Sequence, residues 1–259
     1  MPELPASRHF NVIARTGTAG TLAAVVGLFA LAALFASLGF WQLGRAETSR
    51  ATLVQFAGGA DDEVLASLPP TLDDDLRFRR VEIDGEYVAP PQFLLDNMLH
   101  EGAAGYHVLT ALRVRGTAQL VLVNRGWVPA GDRAVLPDVA AGAAARTVTG
   151  RLERLPRPGM RLGEQVPDRG DAVAILQYPT AAELEQRLGA PVFDYQVLLE
   201  PTADDGYVRD WKAPGMSPER HLAYAGQWWA LSLGALAAAI VIAVKTVRAV
   251  RRRDAENET

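Results

Sequence analysis

The chain has 259 residues, 49% of them hydrophobic and 22% charged, with a formal net charge of -4. That balance belongs to a folded protein and offers no basic, aromatic-interleaved stretch for nucleic acid. The absence of cysteine removes disulfides, thiolate metal sites and cysteine nucleophiles, and His9, His100, His107 and His221 lack the spacing of a zinc site.

From Thr21 to Phe40 the chain is uncharged, and about 20 apolar residues in a helix cross a bilayer. Arg8 and Arg15 precede this run and Ala30-Leu31-Ala32 resembles a cleavage site, as in a signal peptide. A signal's apolar region is only ~7 to 15 residues, whereas this one continues to Trp41, an interfacial anchor, so a retained span is expected. Helix should persist through about Phe56. Asp61 to Asp75 reads as a loop, its run Asp73, Asp74 and Asp75 being either a solvated surface or a hard-cation site.

Strands follow. Val81, Ile83, Gly85 and Tyr87 alternate with charged residues, as do Val148, Gly150 and Leu152 with polar ones, and Phe193, Tyr195, Val197 and Leu199 repeat the pattern. Tyr106 to Val114 and Leu120 to Trp127 flank Gly116 as a hairpin, with Leu120 to Val123 buried. Pro156 to Gly170 reads as a loop. A T-x-x-E capping box at Thr180 to Glu183, with Gly189 beyond, predicts a helix. Leu222 to Val244 is a second uncharged span, and Lys245, Arg248, Arg251, Arg252 and Arg253 behind it place both termini in the cytoplasm. Small residues four apart, Ala32 and Ala36, Ala33 and Ser37, Gly234 and Ala238, Ala235 and Ala239, would let the two spans pack, although alanine-rich helices show such spacing by chance.

The expected layout is a cytoplasmic tail (1–19), a transmembrane helix (20–43), an extracytoplasmic domain (44–220), a second transmembrane helix (221–244) and a basic cytoplasmic tail (245–259). The fold class is an α+β membrane protein, two transmembrane helices flanking a mainly antiparallel β domain, a small barrel or sandwich with one or two helices.

No G-x-S-x-G elbow, phosphate-cradling glycine loop or H-E-x-x-H occurs, and a non-enzymatic role is expected. Met98, His100 and His107 could form a soft copper site. A more informative cluster gathers at the outer membrane surface. There His221, Tyr224 and Trp228 share a helix face at i, i+3 and i+7, and Trp41, Gln42 and Arg45 end the first span at the same depth. Imidazole, aromatic rings and guanidinium suit a haem, as axial ligand, macrocycle faces and propionate partner, and equally suit an interfacial aromatic belt.

Three stretches decide more. Leu38-Gly39-Phe40-Trp41-Gln42-Leu43-Gly44-Arg45 resembles L-G-x-W-Q-x-x-R. Gly105-Tyr106-His107-Val108-Leu109-Thr110 and Leu122-Val123-Asn124-Arg125-Gly126-Trp127-Val128-Pro129 resemble G-Y-x-V-x-T and L-V-N-R-G-W-V-P. His221-Leu222-Ala223-Tyr224-Ala225-Gly226-Gln227-Trp228 resembles H-x-x-Y-A-x-Q-W. In these motifs and their order the chain resembles the Surfeit-locus family of cytochrome c oxidase assembly proteins. It departs at Ala46-Glu47, where Trp-Lys is usual, and at Ala111, Glu219 and Arg220.

The resemblance implies an inner-membrane assembly factor that binds haem a transiently, with His221 as axial ligand to the iron, and assists insertion into oxidase subunit I. Its implied partners are subunit I, haem a synthase and membrane lipid. The alternatives are a haem-free chaperone of an assembly intermediate and a copper carrier. Asn124, Arg125, Gly126 and Trp127 have two readings, a strand end and turn that close the domain, or a surface toward the membrane site or oxidase subunit.

Overall fold

The computed structural model describes residues 8–59, 62–133, 135–156 and 172–257. Two compact units share the chain, the terminal stretches through Thr52 and from Pro214, and the segment Leu53–Ala213 between them.

The first unit is helical. Helix α1, Arg8–Gly58, runs 51 residues through a proline-free, alanine- and leucine-rich sequence, carrying the expected extension past Phe56 to a pair of glycines. Helix α3, Pro218–Asn257, starts on a proline, whose missing N–H costs nothing in a first turn. Both helices are long and apolar enough to cross a bilayer, and little of either is buried within the protein.

The second unit is a mixed sheet of β1 (Arg80–His100), β2 (Ala103–Val114), β3 (Leu120–Pro129), β4 (Ala145–Arg154), β5 (Val173–Leu176) and β6 (Val192–Leu199), with helix α2 (Ala181–Leu188). Its order is β2-β3-β6-β4-β1-β5, and a further β1–β2 pairing closes β1, β2, β3, β6 and β4 into a ring. The closure settles the expectation in favour of a barrel. Most pairings are antiparallel, while β3–β6 and β1–β5 are parallel.

The alternating residues fill the ring. Val81, Ile83, Tyr87, Val148, Leu152, Phe193, Tyr195, Val197 and Leu199 form one buried cluster with Leu112, Val121 and Val123. The run Leu120–Val123 lacks alternation because β3 is covered on both faces. Val121 and Val123 point into the ring, while Leu120 and Leu122 pack under Leu184 of α2 with Leu176 of β5. The N-cap half of the expected box is present, with Thr180 accepting from the Glu183 N–H, while the Glu183 carboxylate meets Arg187 at 3.3 Å and Gly189 lies in the left-handed region at φ 65°.

β1 pairs with β4 over Arg80–Glu86, and its β2 register breaks between Val88 and Phe93, where Pro90 and Pro91 have no N–H to give. The segment 62–73 is irregular as expected, apart from a Leu65–Val81 bridge, and Asp74 meets Arg154 at 2.7 Å. Residues 157–170 of the second expected loop lie outside the described residues.

A candidate ligand site on the helix seam

Exposure along α1 falls in alternating steps of four and three, at Leu28, Ala32, Phe35, Gly39, Gln42, Ala46 and Ser49. On α3 it falls likewise at His221, Ala225, Trp228, Ser232, Ala235 and Ala239. A repeat of this kind keeps one stripe of each helix facing its neighbour. The helices pack antiparallel along these stripes, joined by Gln42 to His221, Phe35 to Trp228, and the Ser232 hydroxyl to the Ala32 carbonyl at 2.8 Å. Of the small residues flagged by spacing, Ala32, Ala235 and Ala239 lie on the stripes and are buried, Ala36 and Ala238 are half-buried beside them, and Ala33, Ser37 and Gly234 are exposed.

His221 lies in the first turn of α3, its N–H directed to the Ser217 carbonyl. Its Nδ1 is 2.8 Å from Oε1 of Gln42. An amide oxygen only accepts, so Nδ1 carries a proton, which in a neutral ring leaves the lone pair on Nε2. Two turns along, Trp228 tilts against Phe35 with centroids 5.6 Å apart, and Trp229 meets Phe40 edge-on at 5.6 Å. Gly39 makes room for Trp229, since a β-carbon there would collide with the indole Nε1. That N–H is buried without a hydrogen-bond partner.

The structure brings together His221, Gln42 and Trp228. Trp41, Tyr224 and Arg45 face outward, with Trp41 57% and Tyr224 46% exposed. Tyr224 leaves the seam because the i+4 position, Ala225, takes it, and a residue one step earlier is turned by about 100°. Sequence reasoning missed Phe35, Gly39 and Trp229. The glycine one turn before Gln42 was the available signal.

The N-R-G-W stretch lies in the β unit, and there its side chains turn inward. Asn124 donates to Gln196 at 3.1 Å and contacts His107 Nδ1 at 3.2 Å. Trp127 donates to the Met98 carbonyl at 3.1 Å. Gly126, at φ 111°, lets the strand pass the Val208 carbonyl. Arg125, its side chain 5% exposed, pairs with Asp205 at 2.7 Å, and Arg146 reaches the other Asp205 oxygen at 2.8 Å. Burial opposes ionisation of Asp205, yet the Arg125 hydrogen bond and the charges of Arg125 and Arg146 hold its carboxyl below the ordinary range.

Burial pushes the Tyr87 hydroxyl up to about 12, helped by the charge of Asp205. Burial also drives His107 down to about 4, and its ring meets Trp211 edge-on at 5.4 Å. The residues weighed for copper are thus engaged around Trp127. Met98 gives it a carbonyl, His100 packs 5.1 Å from its ring, and His107 pairs with it in register.

Comparison with known proteins identifies the family. The model of the SURF1 family matches residues 29–233. The chain belongs to the SURF1 family. It is similar to a SURF1-like protein of Caenorhabditis elegans, 22% identical over 223 residues that cover 76% of this chain and 67% of that one. A SURF1-like protein of Monosiga brevicollis is 25% identical over 212 residues, covering 77% of this chain and 80% of its own. One of Caenorhabditis briggsae is 26% identical over 125 residues, 39% of each chain. The SURF1 match starts within α1 and ends within α3, so it encloses the seam from Ala32 to Ser232 and the Gln42–His221 contact. SURF1-family proteins are in general cytochrome oxidase assembly factors rather than enzymes.

Proposed function

We propose that this protein is a membrane-embedded assembly factor for cytochrome c oxidase that receives haem a on the α1–α3 pair and assists its insertion into subunit I. The observation that carries this reading is the His221 imidazole, set on the seam of two apolar helices with Nδ1 held by Gln42, which makes Nε2 of the neutral ring the ligating atom. Haem a is the cargo, and its iron accepts that lone pair. Trp228 and the outward rings of Trp41 and Tyr224 offer aromatic faces to a macrocycle, and Arg45 offers a guanidinium to a propionate carboxylate. Family membership supports the oxidase as the partner being assembled, with haem a synthase as the source of the cargo.

The basic residues Lys245, Arg248, Arg251, Arg252 and Arg253 hold both termini in the cytoplasm, so α1 and α3 both cross the inner membrane and the β unit lies on the extracytoplasmic side, where it docks subunit I. The test is a deletion strain. Its cytochrome c oxidase spectrum should fall, return with the wild-type chain and stay low with His221→Ala. A normal oxidase spectrum in the deletion strain, with no second gene copy, overturns the assembly role. Full rescue by His221→Ala instead selects the haem-free chaperone.

A further inference from the structure

We infer that Gln42 is a positioning residue for His221, fixing the imidazole in its Nδ1–H tautomer so that Nε2 is the atom presented to a metal centre. The inference rests on the reading that His221 ligates iron, but its first test does not need iron. Three observations carry it. The 2.8 Å contact joins an atom that only accepts to a ring nitrogen, so the proton's place on the ring is dictated. Both residues occupy seam positions, with buried Gly39 and Ala46 on either side of Gln42 and buried Ala225 after His221, so both side chains leave their helices toward the partner helix. In solution a neutral histidine favours the proton on Nε2, the atom a ligand would need, so a fixed acceptor at Nδ1 changes what the ring offers. Metal-bound histidines usually donate their other N–H to such an acceptor, which sets ring orientation and strengthens the ligand. A bare interhelical contact of polar side chains would hold the helices together without any such effect on ligation.

The experiment uses the full chain in lipid nanodiscs with 15N-labelled histidine, the His221 signals being assigned by their loss in His221→Asn. Wild type should show the Nδ1–H tautomer. Gln42→Leu, which removes the acceptor, should move His221 mainly to the Nε2–H form, and Gln42→Glu, which keeps an acceptor, should retain the wild-type form. Disulfide formation between cysteines placed at Ala32 and Ser232 reports that the helices still pack in each variant. A wild-type Nε2–H signal, or one unchanged by Gln42→Leu in a packed pair, overturns the inference.

Haem titration separates this outcome from failure of the functional reading. Gln42→Leu should weaken haem a binding by roughly 10- to 100-fold, with Gln42→Glu near wild type. If His221→Ala abolishes binding while Gln42→Leu leaves it intact, ligation stands and positioning falls. If wild type binds no haem, the functional reading falls while the tautomer result is read on its own.

Discussion

Gly39 shows how a single missing side chain shapes the seam. The Trp229 indole occupies the space a β-carbon would take, so Gly39→Val must expel the ring, at a cost of about 1 to 3 kcal/mol for overpacking. The measured outcome is a lower yield of the Ala32–Ser232 cysteine crosslink, which the cysteine-free chain makes unambiguous. Arg125 anchors the other unit. Arg125→Met removes one of two guanidinium partners of the Asp205 carboxylate, leaving Arg146 in place, and should cost about 1.5 to 3 kcal/mol, read from denaturant unfolding of the full-length protein in detergent by near-UV circular dichroism.

His107 adds a pH dependence. Its folded value of about 4 lies below the 6.5 of an unfolded chain, so the unfolded state binds the proton first. The stability from keeping the ring neutral is complete above about pH 6.5 and lost as pH falls toward 4, at most about 3 kcal/mol. His107→Gln should flatten that limb of the unfolding profile. The motifs marked these residues in the sequence, but not their orientation. Arg125 and Trp127 could equally have faced outward, and only the bond to Asp205 and the Met98 carbonyl turns them in.

At the scale of elements, local signals were legible and distant pairings were not. The N-cap at Thr180 and the left-handed Gly189 are written within a few residues, and Thr180→Ala should cost about 1 kcal/mol. Alternation at Val81 to Tyr87 likewise reports one buried face. The parallel β3–β6 pairing, by contrast, joins strands separated by β4, β5 and α2, and no short window records it. The same holds for the cover that α2 gives the outer face of β3. Leu184 is fully buried there, so Leu184→Ala should destabilise the β unit by about 2 to 5 kcal/mol in the same unfolding assay. The seam was half legible. Spacing picked out the small residues of Ala32 and Ala235, but it assigned Tyr224 to a stripe that the alternating four and three steps give to Ala225.

For the whole molecule, residues from opposite ends of the chain meet because two apolar helices of the same unit run antiparallel, and the long β segment between them returns the chain to its starting neighbour. Sequence motifs supplied each half of the site separately, and the fold joins Gln42 to His221. Family membership covers both halves within one match, residues 29–233. The decisive measurement is the absorption spectrum and haem a content of the detergent-purified full chain from haem-a-producing cells, wild type beside His221→Ala. Wild type should carry haem a with a histidine-ligated spectrum and His221→Ala should lose it. A wild type without haem, or a His221→Ala variant with undiminished haem, would contradict the account.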